Sequence, residues 1–190
     1  MNSSGENMRQ IEYFDFKNKD FLINMVKRCQ DGDTEVMEKV YIAYKSPLMN
    51  LTYRFTRDYS MAEDLLQDIF IKIFTNIKKL RSPEAFNSWL YRIAVNTCMS
   101  FARKKGKVKE VSLREIENTG HSEDSENLAR QQLEQAIDIL PPKQKTVFQL
   151  HDIQGFTGSE IAGIMKSSEG TAKSQLFKAR MKIRNFLRSK

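Results

Sequence analysis

From Asp20 onward, apolar positions return every three to four residues, the period of amphipathic helices, and no stretch alternates with the period of two expected of a strand. Phe21, Leu22, Met25, Val26 and Cys29 form a first stripe, which Asp31-Gly32-Asp33 ends; Val36, Met37, Val40, Tyr41 and Tyr44 form the next. Ser46-Pro47 has the form of a cap followed by proline at the first helical position, where a missing N–H costs nothing, and it predicts a third helix through Leu48, Leu51, Tyr53 and Phe55. Arg57-Asp58-Tyr59 is a break. The spacing of Ser60 and Glu63 then predicts a capping box, with a helix beyond it that carries Leu65, Leu66, Ile69, Phe70, Ile73 and Phe74. Ser82-Pro83 repeats the cap-plus-proline start for a helix through Phe86, Trp89, Leu90, Ile93, Ala94 and Thr97. Together these elements predict an all-α domain over residues 20–106, behind a polar tail, residues 1–19, that holds a small aromatic cluster at Tyr13, Phe14 and Phe16.

The basic run Arg103-Lys104-Lys105-Gly106-Lys107 closes that domain, and residues 107–124, rich in Glu, Asn, Ser and Asp and without periodicity, predict a flexible linker. A second all-α domain is expected over residues 125–190. Leu128, Leu133, Ala136, Ile137 and Leu140 mark one helix, Pro141-Pro142 stops it, and another includes Val147, Phe148 and Leu150. Thr157 and Glu160 then have the spacing of a capping box, so a short helix should run to about Met165, where Lys166-Ser167-Ser168 breaks it. A longer helix follows, with the apolar stripe Ala172, Leu176, Ala179, Ile183 and Leu187, and with Thr171, Lys173, Ser174, Gln175, Lys178, Arg180 and Lys182 on its other faces. A short helix, a tight turn and a longer cationic helix form the pattern of a helix-turn-helix, whose second helix lies in the major groove. Pattern alone balances this against an ordinary helical hairpin with solvated lysines.

With 190 residues the chain is long enough for one or two domains that bury cores without disulfides or metals. Its two cysteines, Cys29 and Cys98, fall inside apolar stripes and offer neither a disulfide framework nor a metal pair, which fits a reduced cytoplasmic setting. No apolar run reaches the length of a membrane span, and the N-terminus MNSSGENMRQ lacks the charged-then-apolar plan of a signal peptide, so the protein is expected to stay where it is made. The formal net charge of +7 is unevenly placed: +6 over residues 1–109, −6 over residues 110–140 and +7 over residues 141–190. Two basic blocks flank an acidic strip, which suggests two polyanion-binding modules. No Ser/His/Asp or Cys/His constellation, phosphate loop or metal-ligand cluster argues for an enzyme or a cofactor, and His121 and His151 stand alone.

The stretch Asp58 to Phe70, DYSMAEDLLQDIF, resembles the D-x-x-x-A-E-D-L-x-Q-[DE]-x-F signature of the sigma-70 superfamily of RNA polymerase sigma factors. Ala85 to Asn96, AFNSWLYRIAVN, is similar to that superfamily's F-x-x-W-L-x-x-I-A-x-N helix, and Leu140-Pro141-Pro142-Lys143-Gln144 with the stretch Phe156 to Arg184 resembles its C-terminal module. The order, spacing and two-domain plan resemble the extracytoplasmic-function group, which keeps regions two and four and drops the rest.

The resemblance implies an initiation subunit that binds core RNA polymerase and confers promoter choice. It implies contacts from the first motif, Asp64, Leu65, Gln67, Asp68 and Phe70, to the clamp helices of polymerase's largest subunit. An acidic stripe within a basic domain suits a basic protein partner better than DNA, which supports that assignment. For the minus-ten promoter element and its flipped base the resemblance implies Lys79, Arg81, Asn87, Ser88, Arg92, Asn96 and Arg103, a set of hydrogen-bonding groups and cations that fits an extruded base and a single strand. Trp89 is expected in the core, and the loop Lys79 to Pro83 departs from the F-R-G type common in the family. For the minus-thirty-five element the implied set is Glu169, Thr171, Lys173, Ser174, Gln175, Phe177, Lys178 and Arg180, with lysines on phosphates and Thr, Ser and Glu on base edges. Gln175 and Phe177 stand where the family often has Arg, and His or Arg; Phe177 is expected either to tuck against the preceding helix, the reading slightly favoured, or to meet a thymine methyl. The turn Lys166-Ser167-Ser168 lacks the family's usual glycine. Further implied partners are the flap of polymerase's second-largest subunit and an anti-sigma factor, often membrane-anchored. Two readings compete with this one: a dimeric helix-turn-helix regulator acting without polymerase, which leaves the first domain's motifs unexplained, and a sigma-like protein-interaction adaptor, which leaves the cationic helix unexplained.

Overall fold

The structure is a computed structural model and describes residues 18–107 and 125–189. Almost all of the expected tail and linker lies outside the described residues. The chain divides into two compact units, Met1–Cys98 and Met99–Lys190.

In the first unit, α1 (Lys19–Gln30) starts at the Asn18 side chain, which accepts hydrogen bonds from the Asp20 and Phe21 N–H groups; Asp33 caps α2 (Thr34–Thr56) in the same way. The predicted helix start at Ser46-Pro47 is absent: Pro47 lies inside one continuous α2. The reason is burial. Tyr44, Leu48 and Leu51 carry the stripe of Val36 and Val40 straight on into the core. Fully burying two leucines is worth about 1.5–3 kcal/mol each, which offsets the roughly 3 kcal/mol cost of an interior proline. Arg57, left-handed at φ 58°, ends α2 and lays its guanidinium 5.6 Å from the Tyr53 ring centroid.

The helix α3 (Tyr59–Asn76) is capped by Asp58, whose carboxylate accepts from the Met61 N–H at 2.9 Å, and not by the predicted Ser60–Glu63 box. Aspartate is as good a cap as serine, and the earlier start brings Tyr59 and Ser60 into the helix. Two short 3-10 turns, Ile77–Lys79 and Pro83–Ala85, lead into α4 (Phe86–Lys107). The core packs α2 against α3, while Tyr44 meets Phe86 and Tyr91 of α4 with ring centroids 6.0 and 6.3 Å apart. Cys29 and Cys98 are both buried, and burial pushes their thiols up to about 11 and about 12, so neither carries a thiolate near neutrality.

The second unit contains α5 (Ser125–Asp138), α6 (Pro142–Phe148), a π turn (Gln149–Ile153), α7 (Gly158–Met165) and α8 (Glu169–Arg188). Its core joins Ala136, Ile137 and Leu140 to Ala179 and Ile183, with Phe148 and Phe186 alongside. The predicted capping box is present: Thr157 Oγ1 accepts from the Glu160 N–H, and Glu160 accepts from the Thr157 N–H at 2.8 Å. Lys166 takes the left-handed conformation, φ 50° and ψ 52°, at the turn, and Ser168 caps α8. No described helix is long and apolar enough to cross a membrane.

Candidate functional site

Three polar faces stand out, two on the first unit and one on the second. On α3 the side turned away from the core exposes Met61, Asp64, Gln67, Asp68 and Ile71. Met61, Asp64, Asp68 and Ile71 follow one another at spacings of three, four and three, so two carboxylates are bracketed by two apolar side chains that remain 48% and 63% exposed. Met61 and Ile71 escape the sequence reading because their meaning depends on which side of α3 meets the core. Asp68 is linked to Lys72 at 2.9 Å, and Lys72 also donates to Thr97 Oγ1 of α4 at 3.3 Å. Leu65 and Phe70, expected among the polymerase contacts, are core residues, 9% and 4% exposed. Phe70 packs on Tyr41, with ring centroids 4.6 Å apart, so both side chains support this face from beneath and do not belong to it.

The second face runs from the turn after α3 along α4. Gln30, the last residue of α1, donates its side-chain N–H groups to the Ile77 and Leu80 carbonyls at 3.1 and 2.9 Å and so holds the segment that carries Lys79 and Arg81. Lys79 donates to Asn76 at 2.7 Å; Arg81 is exposed. The next turn is pinned at Glu84, whose carboxylate is held below its usual range by its own backbone N–H, by Ser82 and by Lys19. Ser88, Arg92 and Asn96 recur every four residues and share one side of α4; Arg103 is exposed later on that helix, past the boundary at Cys98, and so belongs to the second unit. Arg92 is half-buried, and its Nε has no hydrogen-bond partner among the described residues. Asn87 points elsewhere, its Oδ1 accepting from the Tyr44 hydroxyl at 3.2 Å. Trp89, expected in the core, is half-buried beside Phe86.

The third face is the outer side of α8. Glu169, Thr171, Lys173, Ser174 and Lys178 are exposed, and Gln175 is half-buried. Lys173 pairs with Glu169 at 2.8 Å. Phe177 does not tuck against α7: it is 67% exposed, because its position lies off the Ala172–Leu176–Ala179–Ile183 stripe that takes up the available core. Arg180 is exposed but paired with the preceding turn. Its Nε donates to Asp152 Oδ2 at 3.0 Å, its terminal nitrogen reaches Asp152 Oδ1, and the same nitrogen lies 3.3 Å from His151 Nδ1. Partial burial pushes the Asp152 carboxyl up, but hydrogen bonds from Arg180 and His151 outweigh it and hold the group below its usual range.

Comparison with known proteins places these faces in a family. Residues 40–108 match the family model described as Sigma-70 region 2, and residues 130–183 match that described as Sigma-70, region 4. The chain is 31% identical over 176 residues to the ECF RNA polymerase sigma-E factor of Escherichia coli, covering 85% of this chain and 91% of that protein. It is 29% identical over 178 residues to the RNA polymerase sigma-H factor of Pseudomonas aeruginosa, covering 84% and 90%. Among solved structures, CnrH in complex with the cytosolic domain of CnrY matches with a TM-score of 0.68 at 17% identity, covering 87% of this chain and 96% of that one. The sigma factor RpoE in complex with the anti-sigma factor NepR, from Bartonella quintana, matches with a TM-score of 0.67 at 22% identity, covering 80% and 96%. At such identities these two likenesses speak for the fold alone, while the family models and the sequence relatives speak for lineage. The first two faces fall within the region 2 match and the third within the region 4 match. The chain belongs to the extracytoplasmic-function group of the sigma-70 family of RNA polymerase sigma factors.

Proposed function

We propose that this chain works in the cytoplasm as an initiation subunit with no chemistry of its own: it docks on core RNA polymerase through α3 and reads promoter DNA through α4 and α8. The observation that carries the reading is the α3 stripe, two carboxylates between two exposed apolar side chains on the back of a helix whose front is core. Such a stripe suits a partner helix with basic and apolar groups in register, which is what the clamp helices of polymerase's largest subunit would supply, and Asp64, Gln67 and Asp68 are assigned to it. A dimeric regulator acting without polymerase would leave this stripe without a use.

Lys79, Arg81, Ser88, Arg92, Asn96 and Arg103 are assigned to the minus-ten strand, with Asn87 contributing the amide nitrogen that Tyr44 leaves available. Glu169, Thr171, Lys173, Ser174, Gln175, Phe177 and Lys178 are assigned to the minus-thirty-five duplex, where the exposure of Phe177 fits a thymine methyl and Gln175 fits adenine. The flap of the second-largest subunit is the expected partner of the second unit. The solved neighbours are complexes with the CnrY cytosolic domain and with the anti-sigma factor NepR, and a protein that covers these same faces would silence this chain.

The test is transcription by purified core polymerase on genomic fragments, with and without the protein. Specific initiation on a subset of fragments is expected. If no fragment gains it, the reading fails.

A further inference from the structure

Arg180 sits on the DNA-reading helix, yet its guanidinium is turned back to Asp152, twenty-eight positions earlier, at the end of the π turn before α7. Both carboxylate oxygens are engaged by the two-pronged guanidinium, and His151 Nδ1 closes the cluster at 2.8 Å from Asp152 Oδ1. The Asp152 carboxylate is the more sheltered partner, with 21% of its side chain exposed against 50% for Arg180. A bidentate fork fixes direction as well as distance, which a lysine or a single hydrogen bond does not. Its two ends belong to the two parts of the unit whose relative angle decides how α8 enters a groove, the segment leading into α7 and the middle of α8. Phe177 precedes Arg180 by one helical turn, and Lys178 by two residues, so a rotation of α8 at Arg180 would carry the proposed base-reading residues with it.

We infer that Asp152 and Arg180 form an orienting clasp for α8, and that Arg180 is a positioning residue for minus-thirty-five recognition and not a phosphate ligand. This rests on the assignment of α8 to promoter DNA. The clasp spends a cation that the charge pattern alone would give to DNA, and in return it holds the reading face at one angle. The alternative, Arg180 as a phosphate contact that Asp152 merely screens, gives opposite signs for the same substitutions.

The experiment uses holoenzyme assembled from core polymerase and the full chain, with one promoter fragment retained by wild-type holoenzyme from sheared genomic DNA as the probe. A fragment that is not retained serves as non-specific DNA. Binding is measured across a salt series for Arg180→Lys, Asp152→Ala, the pair combined, and Lys178→Ala. The clasp predicts that Arg180→Lys and Asp152→Ala each weaken specific binding about tenfold and that the pair is no worse than either alone. Non-specific binding and the salt slope should stay at wild-type values, whereas Lys178→Ala should lower the slope by about 0.9. A loss caused by poor folding alone would lower both kinds of binding together, and thermal unfolding of each variant checks this directly. If Asp152→Ala tightens binding, or Arg180→Lys equals wild type, the clasp is overturned and Arg180 is a phosphate contact or a bystander. If Lys178→Ala also leaves slope and affinity unchanged, it is the assignment of α8 to DNA that fails.

Discussion

The Gln30 side-chain nitrogen lies 2.9 Å from the Leu80 carbonyl oxygen, tying the end of α1 to the segment that presents Lys79 and Arg81. With the second bond to Ile77, this one amide satisfies two backbone acceptors of a turn that has little regular structure of its own. Removing a partner from half-buried hydrogen bonds typically costs 1–3 kcal/mol. Gln30→Ala is therefore expected to lower the stability of the first unit by about 1–2 kcal/mol in chemical denaturation. It should also weaken promoter opening, measured by permanganate footprinting, while core binding on α3 stays within twofold of wild type.

The apolar ends of the α3 stripe separate docking from folding. Ile71 and Met61 are exposed, so Ile71→Ser should change unfolding free energy by no more than about 0.5 kcal/mol. Burying an isoleucine against a partner is worth roughly 1.5–3 kcal/mol when complete, so the same substitution should weaken binding to core polymerase about tenfold. Competition for core polymerase against the wild-type chain measures this. Leu65→Ser should do the reverse, unfolding the domain before any interface is tested, because Leu65 is core.

Lys166 holds a left-handed backbone, φ 50°, where an L side chain is strained by about 1–2 kcal/mol. Glycine relieves that strain and loses about 0.5–1 kcal/mol of it to the greater freedom of the unfolded chain. Lys166→Gly is expected to stabilise the second unit by about 0.5–1 kcal/mol, seen as a raised melting temperature. A fall would mean that the turn relies on the Lys166 side chain.

The depressed carboxyl of Asp152 sets a pH window. A group whose folded pKa lies below its unfolded value, about 3.9 for aspartate, stabilises the fold fully above that value and loses the contribution as pH falls through the folded pKa. The clasp should therefore be closed at every pH near neutrality and open only in strong acid. Asp152→Asn should cost about 0.5–1 kcal/mol of stability at pH 7, after allowance for solvent screening. The gap between variant and wild type should narrow as the pH falls below the unfolded value of about 3.9.

Much of this was legible in the sequence because it is local. Apolar stripes name the helices, and the Thr157–Glu160 spacing names a cap that the structure contains. Pro47 misled because its local signal, a serine before it, is outweighed by the burial of Leu48 and Leu51. The first motif mixes exposed residues with residues that pack, and a string of letters does not separate Asp64 from Leu65; the side of the helix on which each falls does. Phe177 takes the less favoured of its two readings for a related reason: an aromatic ring suggests burial, but the stripe beside it fills the core and leaves the ring exposed. Arg180 needed a partner twenty-eight positions away, beyond any helical spacing.

Under the proposed function, one chain carries two separable faces, one for polymerase on the first unit and one for the upstream promoter element on the second. The most direct test is the affinity for core polymerase of two double variants, Asp64→Ala with Asp68→Ala and Lys173→Ala with Lys178→Ala. The acidic pair should weaken core binding at least tenfold, while the lysine pair should leave it within twofold and lower only promoter binding, with a shallower salt dependence. Equal loss of core binding by both pairs would contradict that division.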